Sequence, residues 1–96
     1  MNAYLIVDLS ILDLNVFREY LTKIPLFVAK HFGRYLVQGV EATVIENDWK
    51  PECVVVIEFP SRKNAQAFLS DPEAKELFKI RHQSAVSKMI LVDGCL

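Results

Sequence analysis

The segment Cys53-Val54-Val55-Val56-Ile57-Glu58-Phe59 constrains this chain more than any other, because both of its alternations are apolar except at Glu58. A β-strand sends successive side chains to opposite faces of its sheet, so such a strand must be covered on both faces. The chain has 96 residues, the size of one ordinary domain, which leaves room for a single core over 1–96. One cover can come from the chain itself. The composition is 52% hydrophobic, slightly above the globular average, and a small domain buries a smaller share of its surface than a large one. The second cover is therefore expected from a partner subunit.

The remaining segments supply the first cover. Tyr4 to Leu9 reads as a strand, rich in β-branched, aromatic and aliphatic residues. The period then changes: Leu14, Phe17, Leu21, Ile24 and Val28 recur at three- and four-residue steps, which predicts a helix from about Asp13 to about His31. Ser10 and Asp13 are credible N-caps, Gly33 a stop, and Lys30 and His31 suit the negative end of the dipole. Pro25 predicts a bend near Thr22, which either wraps the helix over a twisted sheet or frees carbonyls to line a pocket.

Residues 33–46 read as a long second strand bulged at Gly39, and 47–51 as a turn into the Cys53 strand, which Pro60 ends. Ser61 caps a helix with Ala65, Phe68 and Leu69 inward, and Ser70-Asp71-Pro72-Glu73 restarts it with Leu77, Phe78, Ile80 and Ala85 inward. Lys88 to Asp93 is the last strand. This β-α-β-β-α-β order predicts an α+β, ferredoxin-like, four-stranded antiparallel sheet with its helices on one face. The other face would expose a large apolar patch in a monomer, so a homodimer packed sheet on sheet is expected, burying roughly 800 Å² per partner.

Several functions are excluded on composition and spacing. The net charge is −1 with both signs mixed along the chain, a poor field for nucleic acid or anionic lipid. The apolar N-terminal stretch is too short for a signal segment and lacks a basic flank, so a cytoplasmic protein without a membrane partner is expected. Cys53 and Cys95 make neither a disulfide framework nor a metal spacing, and His31 and His82 are too isolated for a metal set. There is no glycine-rich nucleotide loop, nucleophile elbow or paired-Cys motif, so no cofactor is expected.

Glu58 is the most informative single residue, an ionisable group amid Val54, Val55, Val56, Ile57 and Phe59. It must be paired, with Arg34 or Arg81 as partner, or serve as a general base or ligand-orienting carboxylate. Asp8 poses the same question near a strand end, where solvent satisfies it. His31 is expected to cap a helix. Trp49 is expected to close the end of the core, while Arg34 and Tyr35 sit at a helix-to-strand junction from which side chains reach a cleft. These residues lead to a small, partly apolar molecule bound between sheet and helices, with Arg34, Tyr35, Glu58 and Arg81 as the polar lining. An enzyme built this way would use Glu58 or His82 for cofactor-free proton transfer, and its mark would be a raised carboxyl pKa. A purely structural dimerisation domain, with Glu58 paired and no pocket, is the alternative.

The segments Lys30-His31-Phe32-Gly33-Arg34-Tyr35-Leu36-Val37-Gln38-Gly39, Glu46-Asn47-Asp48-Trp49-Lys50-Pro51, Val54 through Ser61 and Ser70-Asp71-Pro72-Glu73, followed by Arg81, resemble the bacterial family of the domain of unknown function 1330. The resemblance covers nearly the whole chain and implies a ferredoxin-like fold of the dimeric α+β barrel group, in which two sheets face each other. It implies no particular activity. Barrels of this shape elsewhere include cofactor-free oxygenases, isomerases, haem proteins and ligand binders. The chain departs from the family's usual pattern at Phe32 and Val40, where glycine is common, at Gln38 and Cys53, where arginine is common, and at Ala74, where tyrosine is common. If the family's site binds an anionic ligand through those arginines, the loss of two cations implies that this chain binds it weakly or prefers something more neutral.

Overall fold

The computed structural model describes all of residues 1–96. In it the chain runs β1 (Ala3–Ile11), α1 (Leu14–Lys30), β2 (Arg34–Val40), β3 (Cys53–Phe59), α2 (Arg62–Ser70), α3 (Pro72–Ser84) and β4 (Ala85–Asp93). The strands form one antiparallel sheet ordered β2-β3-β1-β4, the ferredoxin-like α+β arrangement expected. No helix is long and apolar enough to cross a membrane.

The pleat divides each strand between two environments. Ala3, Leu5, Val7 and Leu9 are buried under the helices, and the register sets Leu5 opposite Ile57 and Leu91, and Val7 opposite Val55 and Met89. The same pairing puts Tyr4 beside Glu58, Ile6 between Val56 and Ile90, and Asp8 between Val54 and Lys88 on the open face. The helix-facing core is built on Phe17, Ile24 and Val28 of α1 and on a chain of contacting rings, Phe59, Phe68 and Phe78, with centroids 5.5 Å apart at each step, the first pair tilted and the second edge to face.

The caps are local. Asp13 accepts from the Val16 amide at 3.1 Å and Ser61 from Asn64 at 3.2 Å. Asp71 accepts from Glu73 and Ala74 with Pro72 in the first turn, so the second helical stretch is two helices. At the end of α1 the Phe32 amide donates to the Ala29 carbonyl and the Gly33 amide to Val28, with Phe32 at φ 65°. The left-handed position thus falls to Phe32 rather than to Gly33. Gly33 is required for a different reason: a Cβ there would lie 2.7 Å from Phe59 Cε1 and 2.9 Å from Val28 Cγ1.

Two expected boundaries and one expected helix stripe are corrected. β2 stops at Val40 instead of reaching Glu46, because its last pair is Val40 with Val54 and β3 begins at Cys53, so residues 41–52 have no strand to join. The bulge at Gly39 is present, with φ 68° and a register shift between Gln38 and Val40. β4 begins at Ala85, directly on leaving α3, so Ala85 packs from the sheet. On α1, Leu14 and Leu21 are half exposed and Tyr20 takes the buried place between Phe17 and Ile24.

Candidate functional site: a cavity between sheet and helices

Between α1 and the sheet lies a cavity of about 250 Å³. Fourteen of its eighteen lining residues are hydrophobic, so what it accepts must be largely apolar. Leu5, Val55 and Ile57 form part of its floor, and Leu21, Ile24 and Pro25 part of its roof. Pro25 has no amide to offer the Leu21 carbonyl, and both residues line the space.

Arg81, Tyr20, Tyr35 and Gln38 are its polar lining, with the Cys53 thiol nearby. Arg81 reaches it from α3 and is 7% exposed. Its Nη1 donates to the Tyr20 hydroxyl at 3.1 Å, Nη2 lies 3.3 Å from His82 Nε2, and the guanidinium stacks on the Phe78 and Tyr20 rings at 4.9 and 5.6 Å. Its Nε is buried without a hydrogen-bond partner, and none of the chain's ion pairs includes it. Burial raises the Tyr20 phenol pKa, Arg81 opposing, and burial raises that of Tyr35 further, so both are neutral donors at physiological pH. Burial, aided by the Asp8 charge, also raises the Cys53 thiol, which disfavours the thiolate a nucleophile needs.

The four residues expected to line one cleft divide between two faces. Tyr35 and Arg81 line the cavity; Arg34 and Glu58 lie on the open face of the sheet, where Arg34 Nε donates to Glu58 Oε1 at 2.7 Å and the Tyr4 hydroxyl to Oε2 at 3.0 Å. Strand alternation causes this correction, since Glu58 sits between the helix-facing Ile57 and Phe59. Glu58 is thus paired with Arg34. That bond, with the Tyr4 hydroxyl, holds its carboxyl below the usual range, opposite to the raised pKa expected of a proton-transfer base. His82 touches Arg81 from behind and does not line the cavity.

Other expectations resolve locally. His31 caps α1 and its Nε2 lies 2.7 Å from Asp71 Oδ2, which also accepts from Lys30 at 2.8 Å, so the end of α1 is pinned to the start of α3. Trp49 is not in the core. It is 69% exposed and borders a second, polar hollow of about 330 Å³ on the open face, with Asp8, Asp48, Lys50 and Lys88. Asp8 is not simply wet, since its Oδ1 is buried there without a partner. Tyr20 was missed although it lies three residues after Phe17 and four before Ile24, the spacing that marks the buried stripe.

The family model for "Domain of unknown function (DUF1330)" matches residues 2–95. No curated protein matches the chain. Among solved structures, the RPA0582 protein of unknown function from Rhodopseudomonas palustris is 17% identical, with a TM-score of 0.79 over 99% of this chain and 83% of that one. SnoaB, a cofactor-independent oxygenase from Streptomyces nogalater, is 12% identical, with a TM-score of 0.65 over 99% and 94%. A dimeric protein of unknown function and ferredoxin-like fold from Bacteroides fragilis is 14% identical, with a TM-score of 0.63 over 97% and 96%. At these identities the likeness is one of fold.

Proposed function

The chain belongs to the family of the domain of unknown function 1330, and from that premise we propose that it works as a homodimer binding a small, largely apolar molecule in the cavity between sheet and helices. The observation that carries this reading is the cavity itself, open beneath α1 in a domain whose core beyond it is filled by Phe59 and Phe78. The homodimer is supported by the apolar open face and by the dimeric neighbour from Bacteroides fragilis. A cytoplasmic setting fits the two free cysteines.

The test is methyl NMR with naphthalene as a neutral probe. Saturable shifts confined to methyls that line the cavity, among them Leu5, Leu21, Val55 and Ile57, are expected, and Leu21→Trp, which narrows the mouth from a half-exposed position, should weaken them at least several-fold. Wild-type protein that is folded and shows no saturable shift overturns the cavity reading.

A cofactor-independent enzyme is the second reading, supported by the fold shared with SnoaB. In that version Glu58 and His82 lie off the cavity, and the neutral phenols of Tyr20 and Tyr35 orient the substrate by hydrogen bonding.

A further inference from the structure

The cavity has a charge as well as a shape. Arg81 is the only charged residue lining it, and a guanidinium cannot shed its proton at any physiological pH. A buried cation is normally matched by an anion. Here the partners are the neutral Tyr20 hydroxyl, the His82 ring and two aromatic faces, and Nε has none. No carboxylate pairs with Arg81, so its positive charge is left uncompensated by any anion beside an otherwise apolar space.

We infer that the ligand is a monocarboxylate on an apolar body, its carboxylate received by Arg81. This rests on the cavity reading above and adds the ligand's chemical class. The rigid fork of a guanidinium matches a carboxylate, and charge-assisted hydrogen bonds are the strong ones. Tyr20, which accepts from Arg81 through its oxygen, keeps its own hydroxyl hydrogen for a second bond to the same anion. A single lining cation matches a single negative charge, and no second cation lines the space for a dianion. An apolar cavity of about 150 Å³ takes benzene; one of about 250 Å³ has room for a fused ring system bearing one carboxylate.

The test compares 2-naphthoate, 2-naphthamide and naphthalene by the same methyl NMR titration. Naphthoate and naphthamide share a shape and differ in charge. We expect naphthoate to bind wild-type protein more tightly than the amide by on the order of tenfold or more, and Arg81→Gln, with its fold checked by thermal melting, to bring the two together. If none of the three binds, the cavity reading fails and the inference falls with it. If the amide or naphthalene binds as tightly as naphthoate, the cavity reading stands and the carboxylate inference is overturned. A naphthoate preference that survives in folded Arg81→Gln also overturns the assignment to Arg81. Should that variant not fold, the wild-type comparison alone decides.

Discussion

Asp71 and Arg81 are the two charged residues that this fold buries, and their surroundings treat them in opposite ways. Arg81 meets neutral groups, whereas Asp71 receives Lys30, His31 and two backbone amides. The Lys30 bond, then the His31 bond, depress the Asp71 carboxyl well below the ordinary aspartate range. A group whose folded pKa is depressed adds stability above its unfolded pKa, about 3.9, and loses that contribution as pH falls toward the folded value. The wild-type melting temperature should accordingly exceed that of Asp71→Asn at about pH 5 and by a shrinking margin as pH falls from about 4 toward 2. Thermal melts followed by circular dichroism across that range measure it. A gap that stays constant to pH 2 would mean that the ionised carboxylate adds nothing and that Asp71 acts only as a cap.

The β2 strand shows how an element ends for want of a partner. Gly39 takes a left-handed φ of 68° beside Cys53, and an added Cβ would sit 3.3 Å from Sγ. Gly39→Ala should cost about 1–2 kcal/mol, read as a lower urea midpoint at unchanged slope; an unchanged midpoint would show that the bulge tolerates a side chain. Ser61→Ala should cost about 1 kcal/mol by losing the cap on Asn64, measured the same way. Such local devices were legible from residue type alone, as were the limits of β3, set by apolar residues between two prolines. The end of β2 was not, because Val44 and Ile45 suit a strand and only the length of the neighbouring strand denies them pairing. The site was half legible for a related reason. Glu58 alone marks the Val54–Val56–Glu58 alternation of β3 as the less apolar one, and the helices take the other, which sends Glu58 to the open face and leaves the cavity to Tyr35 and Arg81. Arg81 lies four residues after Leu77 and three after Phe78, on the buried stripe of α3, so its place was legible by spacing, whereas its charge argued against burial and only the packing of α3 on α1, with the Tyr20 hydroxyl as partner, accommodates it.

At the scale of the molecule, the helices cover one side of a slab measuring 32 × 32 × 15 Å and leave the other bare. Across its middle run Val56, Ile6 and Ile90 in one register row, with Val54 and Val92 adjoining. A face of this breadth can supply the roughly 800 Å² per partner of a standard interface, and the apolar row makes a second copy of this chain its natural cover. The polar groups on the same face do not oppose this. Glu58 is already satisfied by Arg34 and Tyr4, and the unpartnered Asp8 Oδ1 is better matched by a donor from a facing subunit than by its own sheet. The mass in solution should be twice 11.0 kDa at micromolar concentration, as read by sedimentation or native mass spectrometry. Ile90→Glu should weaken the dimer by about a hundredfold or more, since a charge would be buried without a partner. Its fold should persist, because Ile90 is exposed in the single chain. A folded Ile90→Glu that stays dimeric would move the interface to another surface. A wild-type monomer at tens of micromolar would leave the open face without its cover, and with it the reason why both alternations of β3 are apolar.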